Sequence, residues 1–435
     1  MALSTQPYKG ARDFYPEEKR LQKYMFGVMR SVVERFGYLE YDAPIIEPLE
    51  IYAAKTGEEI VNEQTYRFTD RGGREVVIRP EMTPSVSRMV ATKRQELAYP
   101  LRWYSIPNLW RYERPQRGRL REHWQLNVDL FGEEDLKAER EIINVADAIM
   151  QAYGAKRDQY TIKLNSRALM KTLIHDYLSL SEVQTATFSK LLDKMHKMDH
   201  SEFMAQAEAL LTPSQREAGV SQKLVDLLGT KTLDQLPHNP KTIEPTNNLN
   251  SLFMWLKEDG ITNIEFDISL MRGFDYYTGV VFEVFDNHPE NNRSMFGGGR
   301  YDGLVGLFGV EPVPTVGFGM GDVTLQNFLI GNNLVPKLKT ETDLYIGLIG
   351  DVYAPAQKVI KELREMGVKV AADLGGNKVD KQIKTALKNG INYMLFIGEK
   401  ELADGQFTLK DLSTGKEEKH ALQRIVSIVK DYRKK

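Results

Sequence analysis

The sequence predicts an α+β fold: an antiparallel sheet with flanking helices, split by a helical insertion and followed by a separate α/β segment. Three observations carry this. Short β-rich runs such as "EVVIR", "LRWYSI" and "WQLNVDLFG" are interleaved with helical patterns in the first part of the chain and return as "NIEFDIS", "VVFEVF" and "TVGFGMG" further on. Between them lies a stretch of helix formers broken only by "TPSQ" and "PHNP". After "NNLVPKLK" strand and helix patterns alternate. The expected segments are therefore 1–165 and 259–331 for the sheet, 166–258 for the insertion and 332–435 for the α/β part.

Taken in order, the first helix starts at Pro16 with Glu17 and Glu18 in its first turn. It carries Leu21, Tyr24, Met25, Val28, Met29, Val32, Val33 and Phe36 at helical spacing and stops at Gly37. Strands are expected over 75–79, 101–106 and 124–132, then a helix over 135–152. In the last segment, strands over 344–350, 368–373 and 393–398 alternate with helices near 354–366 and 377–389.

Composition narrows the chemistry. The 435-residue chain is long for one core. It has no cysteine, which excludes disulfides, thiolate metal sites and cysteine nucleophiles. No apolar run approaches the ~20 residues of a membrane helix, and the amino terminus lacks a secretory apolar segment, so a cytoplasmic location is expected. Net charge is −2, yet residues 336–435 hold 19 Lys and Arg against 14 Asp and Glu, a net of +5. That basic segment suits a polyanionic partner; solvated lysines would look the same.

The densest polar run is "RYERPQRGRLREHWQLNVDLFG", 111–132. Arg111, Arg114, Arg117, Arg119 and Arg121 flank Pro115 and Gly118, which mark a turn. Guanidinium groups bind phosphate in a two-pronged way and keep their charge, so such a hairpin can cradle a polyphosphate; a solvated basic hairpin has the same composition. Gln125, Asn127 and Asp129 lie two apart on one strand face, opposite Leu126, Val128 and Leu130, which fits a polar pocket floor or a solvated face. In "VIRPEMTPS", Arg79, Glu81 and Thr83 leave a strand end just before a helix, where Glu81 can either receive a donating substrate group or serve the helix dipole. The glycines of "GGGRYDG" and "VGFGMGD" match neither a P-loop nor a dinucleotide fingerprint and imply a close approach to the backbone. His196 and His200 have helical i, i+4 spacing but no adjacent glutamate, and are expected as surface residues.

These motifs, in this order, resemble the class II aminoacyl-tRNA synthetases, and within them the histidyl-tRNA synthetases. "KGARDFYP", "FGYLEYDAPIIE", "RPEMT", "WRYERPQRGRLREHWQ", "MRGFDYYTG" and "GGGRYDGL" carry the resemblance over nearly the whole chain, and the C-terminal segment is similar to the family's anticodon-binding domain. The resemblance implies ATP-dependent joining of histidine to tRNA through histidyl-adenylate, by a homodimer, with Mg entering on ATP and no permanent metal site. It implies catalytic roles for Arg272 and Arg111 at the α-phosphate. Glu81, Met82, Thr83, Gln125, Asp129, Tyr276 and Tyr277 are expected around histidine, and Arg111, Glu113, Arg119, Arg121 and Arg272 around ATP.

Three positions depart from the family pattern. Thr324 stands where an adenine-stacking arginine is usual, His123 where phenylalanine is usual, and Asp129 where glutamate is usual. The first two imply a rearranged nucleotide pocket, with Trp124, Arg121 or another arginine substituting, or weakened ATP use. A second reading follows: a non-charging relative acting as a histidine-binding regulatory subunit of histidine biosynthesis. The retained C-terminal segment and histidine signatures favour the enzyme.

Overall fold

The computed structural model describes residues 3–53, 63–195, 198–237, 239–271, 276–291 and 293–434. Two units emerge: Met1–Asp13 with Gln22–Val335, and Phe14–Leu21 with Pro336–Lys435.

The first unit is built on a sheet of nine strands among the described residues, ordered Leu39–Glu40, Leu101–Ser105, Glu122–Phe131, Thr315–Gly321, Ser294–Arg300, Val280–Asp286, Tyr160–Ser166 and Ile264–Phe266, with Asn108–Trp110 paired to Glu122–Phe131 off this path. All neighbours are antiparallel except the two outermost pairs. Glu122–Phe131 is central because its Leu126, Val128 and Leu130 are fully buried while Gln125, Asn127 and Asp129 face the other way. The strand Tyr160–Ser166 pairs with Val280–Asp286, so the sheet spans both sides of the helical stretch.

The first helix runs Pro16–Arg35 and buries a narrow stripe, Gln22, Met25, Met29, Val32 and Val33; Tyr24 and Val28 stay half-buried. The helix Lys137–Ala152 buries Ile142, Ile143, Val145, Ala146, Ile149 and Met150, a continuous apolar face. Between 167 and 258 the described chain is helical, from Arg167–Thr172 to Ile243–Glu258. Two of these helices start with a reciprocal capping box, at Ser181 and at Thr212, each paired with a glutamine three residues on.

In the second unit the strand order is Val370–Ala372, Leu344–Leu348, Tyr393–Ile397, Phe407–Asp411 and Glu417–His420. The first three are parallel and joined through the helices Tyr353–Glu365 and Val379–Lys388; the last two form an antiparallel hairpin. Buried Gln382 continues the ladder sideways, donating to the Leu348 carbonyl at 2.9 Å and accepting from the Leu348 N–H at 3.0 Å. No described helix is long and apolar enough to cross a membrane.

Candidate active site

The register of the sheet builds the site. Asp129 pairs with Gly317, Asn127 with Gly319 and Gln125 with Gly321. Gly317 and Gly319 pair in turn with Gly299 and Gly297. One strand therefore raises polar side chains from the floor while its neighbours present bare backbone. The glycines are required: a methyl at Gly317 would overlap Asp129 Oδ1, and one at Gly319 would overlap Gln125 Nε2. The close approach foreseen at these glycines is made by the chain's own floor residues.

Over this floor lies a cavity of about 90 Å³ lined by Glu81, Thr83, Arg111, Gln125, Asn127, Asp129, Tyr276, Tyr277, Gly297, Tyr301, Gly317, Phe318 and Gly319. At ~10–15 Å³ per water on this measure, it holds several waters' worth of a small polar molecule.

One end of the cavity is phenolic. The rings of Tyr276 and Tyr277 sit 4.9 Å apart, and Tyr301 lies 5.5 Å from Tyr276. The Tyr276 hydroxyl donates to Glu81 Oε2 at 3.2 Å and lies 3.4 Å from Thr83 Oγ1. Glu81 is 2% exposed, and its backbone is fixed where the buried Tyr52 hydroxyl donates to the Glu81 carbonyl at 3.3 Å. Burial, then the neighbouring Glu81, pushes the Tyr276 phenol well above its ordinary range, so it remains a donor.

The other end is anionic. Tyr301 donates to Asp129 Oδ1, while Asp129 Oδ2 is buried with no hydrogen-bond partner among the described residues. Burial raises the Asp129 carboxyl to about 7, against which the Tyr301 hydrogen bond pulls it down. An unpaired buried carboxylate oxygen costs free energy until a donor reaches it, so this end is prepared for a cation or a strong donor. Gln125 and Asn127 lie alongside, the Gln125 amide donating to Asn127 Oδ1 at 2.7 Å.

The arginine hairpin forms at one rim. Arg111 N–H donates to the Arg121 carbonyl at 2.8 Å, and Gln116 bridges Arg119 at the tip. Arg111 Nε is fixed on the Pro80 carbonyl at 2.9 Å, which ties the base of the hairpin to the turn carrying Glu81. Glu113 pairs with Arg119 at 3.6 Å, and Arg121 donates to the Glu113 carbonyl at 3.2 Å. His123 is half-buried; burial, then Arg111 and Arg12, lowers its imidazole to about 3, so it is neutral. Thr324 turns its hydroxyl inward to the Met295 carbonyl at 2.8 Å, and its γ-methyl lies close to Gly118 at the hairpin turn.

Of the residues singled out in the sequence, Glu81, Thr83, Arg111, Gln125, Asp129, Tyr276 and Tyr277 share this cavity. Glu113, Arg119 and Arg121 belong to the rim hairpin, and Met82 is fully buried and does not line the cavity. Arg272 and His196 lie outside the described residues. Arg79 is a strut: 3% exposed, it donates to the Ala43 and Asn108 carbonyls and pairs with Asp42 at 2.8 Å. Tyr301 also lines the cavity and holds Asp129; within "GGGRYDG" nothing local marks it as a site residue, because its partner lies 172 positions away. Among the described residues no three His, Asp or Glu side chains come together as a metal-binding group.

Residues 10–323 match the Histidyl-tRNA synthetase family model, and residues 344–432 match that of the Anticodon binding domain. The chain is 46% identical to the histidine–tRNA ligase of Leptospira biflexa over 95% of its own length and 94% of the relative's. It is 36% identical to that of Thermoplasma volcanium over 94% and 95%. Among solved structures, the histidyl-tRNA synthetase of Nostoc sp. PCC 7120 superimposes with a TM-score of 0.82 at 23% identity, covering 99% of this chain and 100% of that one. A Bacillus halodurans structure, titled an ATP phosphoribosyltransferase regulatory subunit/histidyl-tRNA synthetase, has a TM-score of 0.74 at 22% identity over 92% of this chain and 99% of that one. With the fold, the cavity and these relatives in agreement, the chain belongs to the histidyl-tRNA synthetase family.

Proposed function

We propose that this chain ligates L-histidine to its tRNA in two ATP-dependent steps. A histidine carboxylate oxygen attacks the α-phosphorus of ATP, forming histidyl-adenylate as the bond to pyrophosphate breaks. A ribose hydroxyl at the tRNA end then attacks the carbonyl, and AMP leaves.

The observation that carries this reading is the polarity of the cavity. Its phenolic end holds Tyr276 hydrogen-bonded to Glu81, and an imidazole with one N–H and one bare nitrogen can exchange that bond for two, donating to Glu81 and accepting from Tyr276. Its anionic end offers Asp129, with Gln125 alongside, to an ammonium, which Thr83 meets from the phenolic side. A ring that cannot pair with Glu81 and Tyr276 leaves buried polar groups unmet at roughly 1 to 3 kcal/mol each, which gives discrimination without editing. Tyr277 packs the ring, and Met82 supports the turn between Glu81 and Thr83 from the core.

In this reading Arg111 stabilises the charge that grows on the α-phosphate. Arg119, Arg121 and Glu113 serve the rest of the nucleotide, and Mg enters bound to ATP, where it helps neutralise the leaving pyrophosphate. Arg272 has the second catalytic role by resemblance, and Arg272→Ala should slow adenylate formation by orders of magnitude with little change in histidine affinity. The unit containing 336–435 is assigned to the tRNA anticodon, and the place of work is the cytoplasm. Leu39, Ile45 and Ile46, at 67%, 55% and 49% exposure in the segment resembling the first class motif, support a homodimer.

The regulatory reading shares the fold but not the pattern of relatives named as ligases along almost the full chain. Charging of a histidine tRNA transcript with labelled histidine tests the proposal. Histidyl-tRNA accumulating only with ATP supports it; histidine binding without charging would favour the regulatory reading.

A further inference from the structure

Residues 8–12 cross the base of the arginine hairpin and fix one side chain in it, Arg121. The Gly10 carbonyl accepts from the backbone N–H groups of Arg121 and Glu122, at 2.9 and 3.1 Å. Two residues on, Arg12 pairs with buried Asp322 at 2.7 Å, and the other oxygen of that carboxylate accepts from the Trp124 N–H at 3.0 Å. The segment is thereby tied along the start of the strand that forms the cavity floor.

The whole Arg121 side chain lies in the grip of this segment and the hairpin. Gly10 has φ +87°, and a methyl there would come within 2.8 to 3.0 Å of Arg121 Cβ, Cγ and Cδ, so the bare glycine makes the bed for the stem. At the head, the guanidinium sits over the Tyr112 ring at 3.9 Å, donates from Nη1 to the Tyr8 hydroxyl at 3.0 Å and from Nε to the Glu113 carbonyl at 3.2 Å. Tyr112 is itself fixed, edge-on against Tyr66 at 5.4 Å, with its backbone N–H donating to the Gln64 carbonyl at 2.7 Å. Arg121 stands two positions before His123 and four before Gln125, so strand alternation turns it to the cavity side, at the rim. The two side-chain bonds spend two of the five N–H donors of the guanidinium and leave three for phosphate oxygens, while the ring beneath attracts the charge without using a donor. The neighbouring Arg119 is exposed and meets Glu113 at 3.6 Å, so it is not held in this way. An arginine ordered beforehand loses little freedom when it meets an anion, whereas a loose one must be ordered at that moment.

We propose that Tyr112, Tyr8 and Gly10 are positioning residues for ATP: they hold the Arg121 guanidinium, before the nucleotide arrives, in the orientation in which it meets the triphosphate. This rests on the ligation reading, which gives Arg121 to ATP.

The test is ATP–pyrophosphate exchange by the full chain at saturating histidine. Tyr8→Phe with Tyr112→Leu removes the hydroxyl and the ring face but keeps apolar bulk, and should raise the KM for ATP about 3- to 10-fold, the loss expected when one arginine must be ordered on binding. Its kcat and its KM for histidine should stay as in the wild type, because the loss falls on ground state and transition state alike, and this also shows that the variant is folded. Tyr112→Phe alone, which keeps the ring face, should match the wild type. In an Arg121→Ala chain, whose KM for ATP is already raised, the double change should add nothing. Inhibition by inorganic tripolyphosphate should weaken with the double change, and inhibition by adenosine should not. An unchanged KM for ATP in the double variant would overturn the proposal, as would an equal rise in the Arg121→Ala chain, or weakened inhibition by adenosine, which would give the rings to adenine. A wild type without exchange would refute ligation, while calorimetric ATP binding by the same variants would still decide whether Arg121 is held for the nucleotide.

Discussion

Replacing Tyr301 by Phe removes one hydroxyl and nothing else, and its effect can be worked from the structure. That hydroxyl donates to Asp129 Oδ1, and it alone draws the Asp129 carboxyl down against burial, to about 7. A hydrogen bond to a charged group contributes roughly 1.5 to 3 kcal/mol, or about one to two pKa units at 1.36 kcal/mol each. In Tyr301→Phe the carboxyl should therefore titrate near 8 to 9, leaving about 1 to 10% of it ionised at pH 7 instead of half. If the ionised form binds the histidine ammonium, kcat/KM for histidine should fall about 5- to 50-fold at pH 7 and recover toward alkaline pH. The assay is ATP–pyrophosphate exchange at subsaturating histidine across pH 6 to 9. The substrate's own ring titrates identically with both proteins, so the displacement of the acid limb belongs to the enzyme. A limb that stays in place would refute Asp129 as the ammonium acceptor.

Asp129→Asn carries a stability prediction of opposite sign to its functional one. The folded carboxyl lies above its ordinary value of 3.8, so ionisation disfavours the folded state; the penalty appears as pH rises past about 4 and is complete above about 7. The variant should unfold at a higher temperature than wild type at pH 8, by an amount worth at most about 4 kcal/mol, and the advantage should vanish near pH 4 while histidine activation is lost at every pH. Gly319→Ala should raise the KM for histidine about tenfold with little loss of stability, because the new methyl meets only the far end of the Gln125 side chain and pushes it off Asn127; kinetics beside a thermal melt would check both halves. Arg300→Ala leaves Glu139, 2% exposed, without the two-pronged partner it meets at 2.6 and 2.7 Å, and should cost about 3 to 5 kcal/mol in urea unfolding, with Arg300→Lys recovering only part.

What the sequence disclosed depended on how local the signal was. The strand Glu122–Phe131 was legible because its alternation is strict, and the helix Lys137–Ala152 because its apolar face is continuous. The strand Glu417–His420 was not, since "EEKH" is largely exposed and carries no apolar contrast, and Phe407–Asp411 offers only Phe407 and Leu409 as an alternating pair. The floor of the site could be read from Gln125, Asn127 and Asp129, yet the duty of the facing glycines is set by register: which side chain each one clears appears only when 317 is paired with 129. His123 is kept neutral by burial, then Arg111 and Arg12, and Asp129 leans on Tyr301; burial, Arg12 and Tyr301 reach these residues only when the sheet folds.

The central claim is that the cavity over Asp129, Glu81 and Tyr276 accepts histidine and passes it to ATP. ATP–pyrophosphate exchange measured with each of the twenty amino acids in turn tests it most directly. Exchange with histidine and with no other is the predicted result; exchange with none, or with a different amino acid, would contradict it.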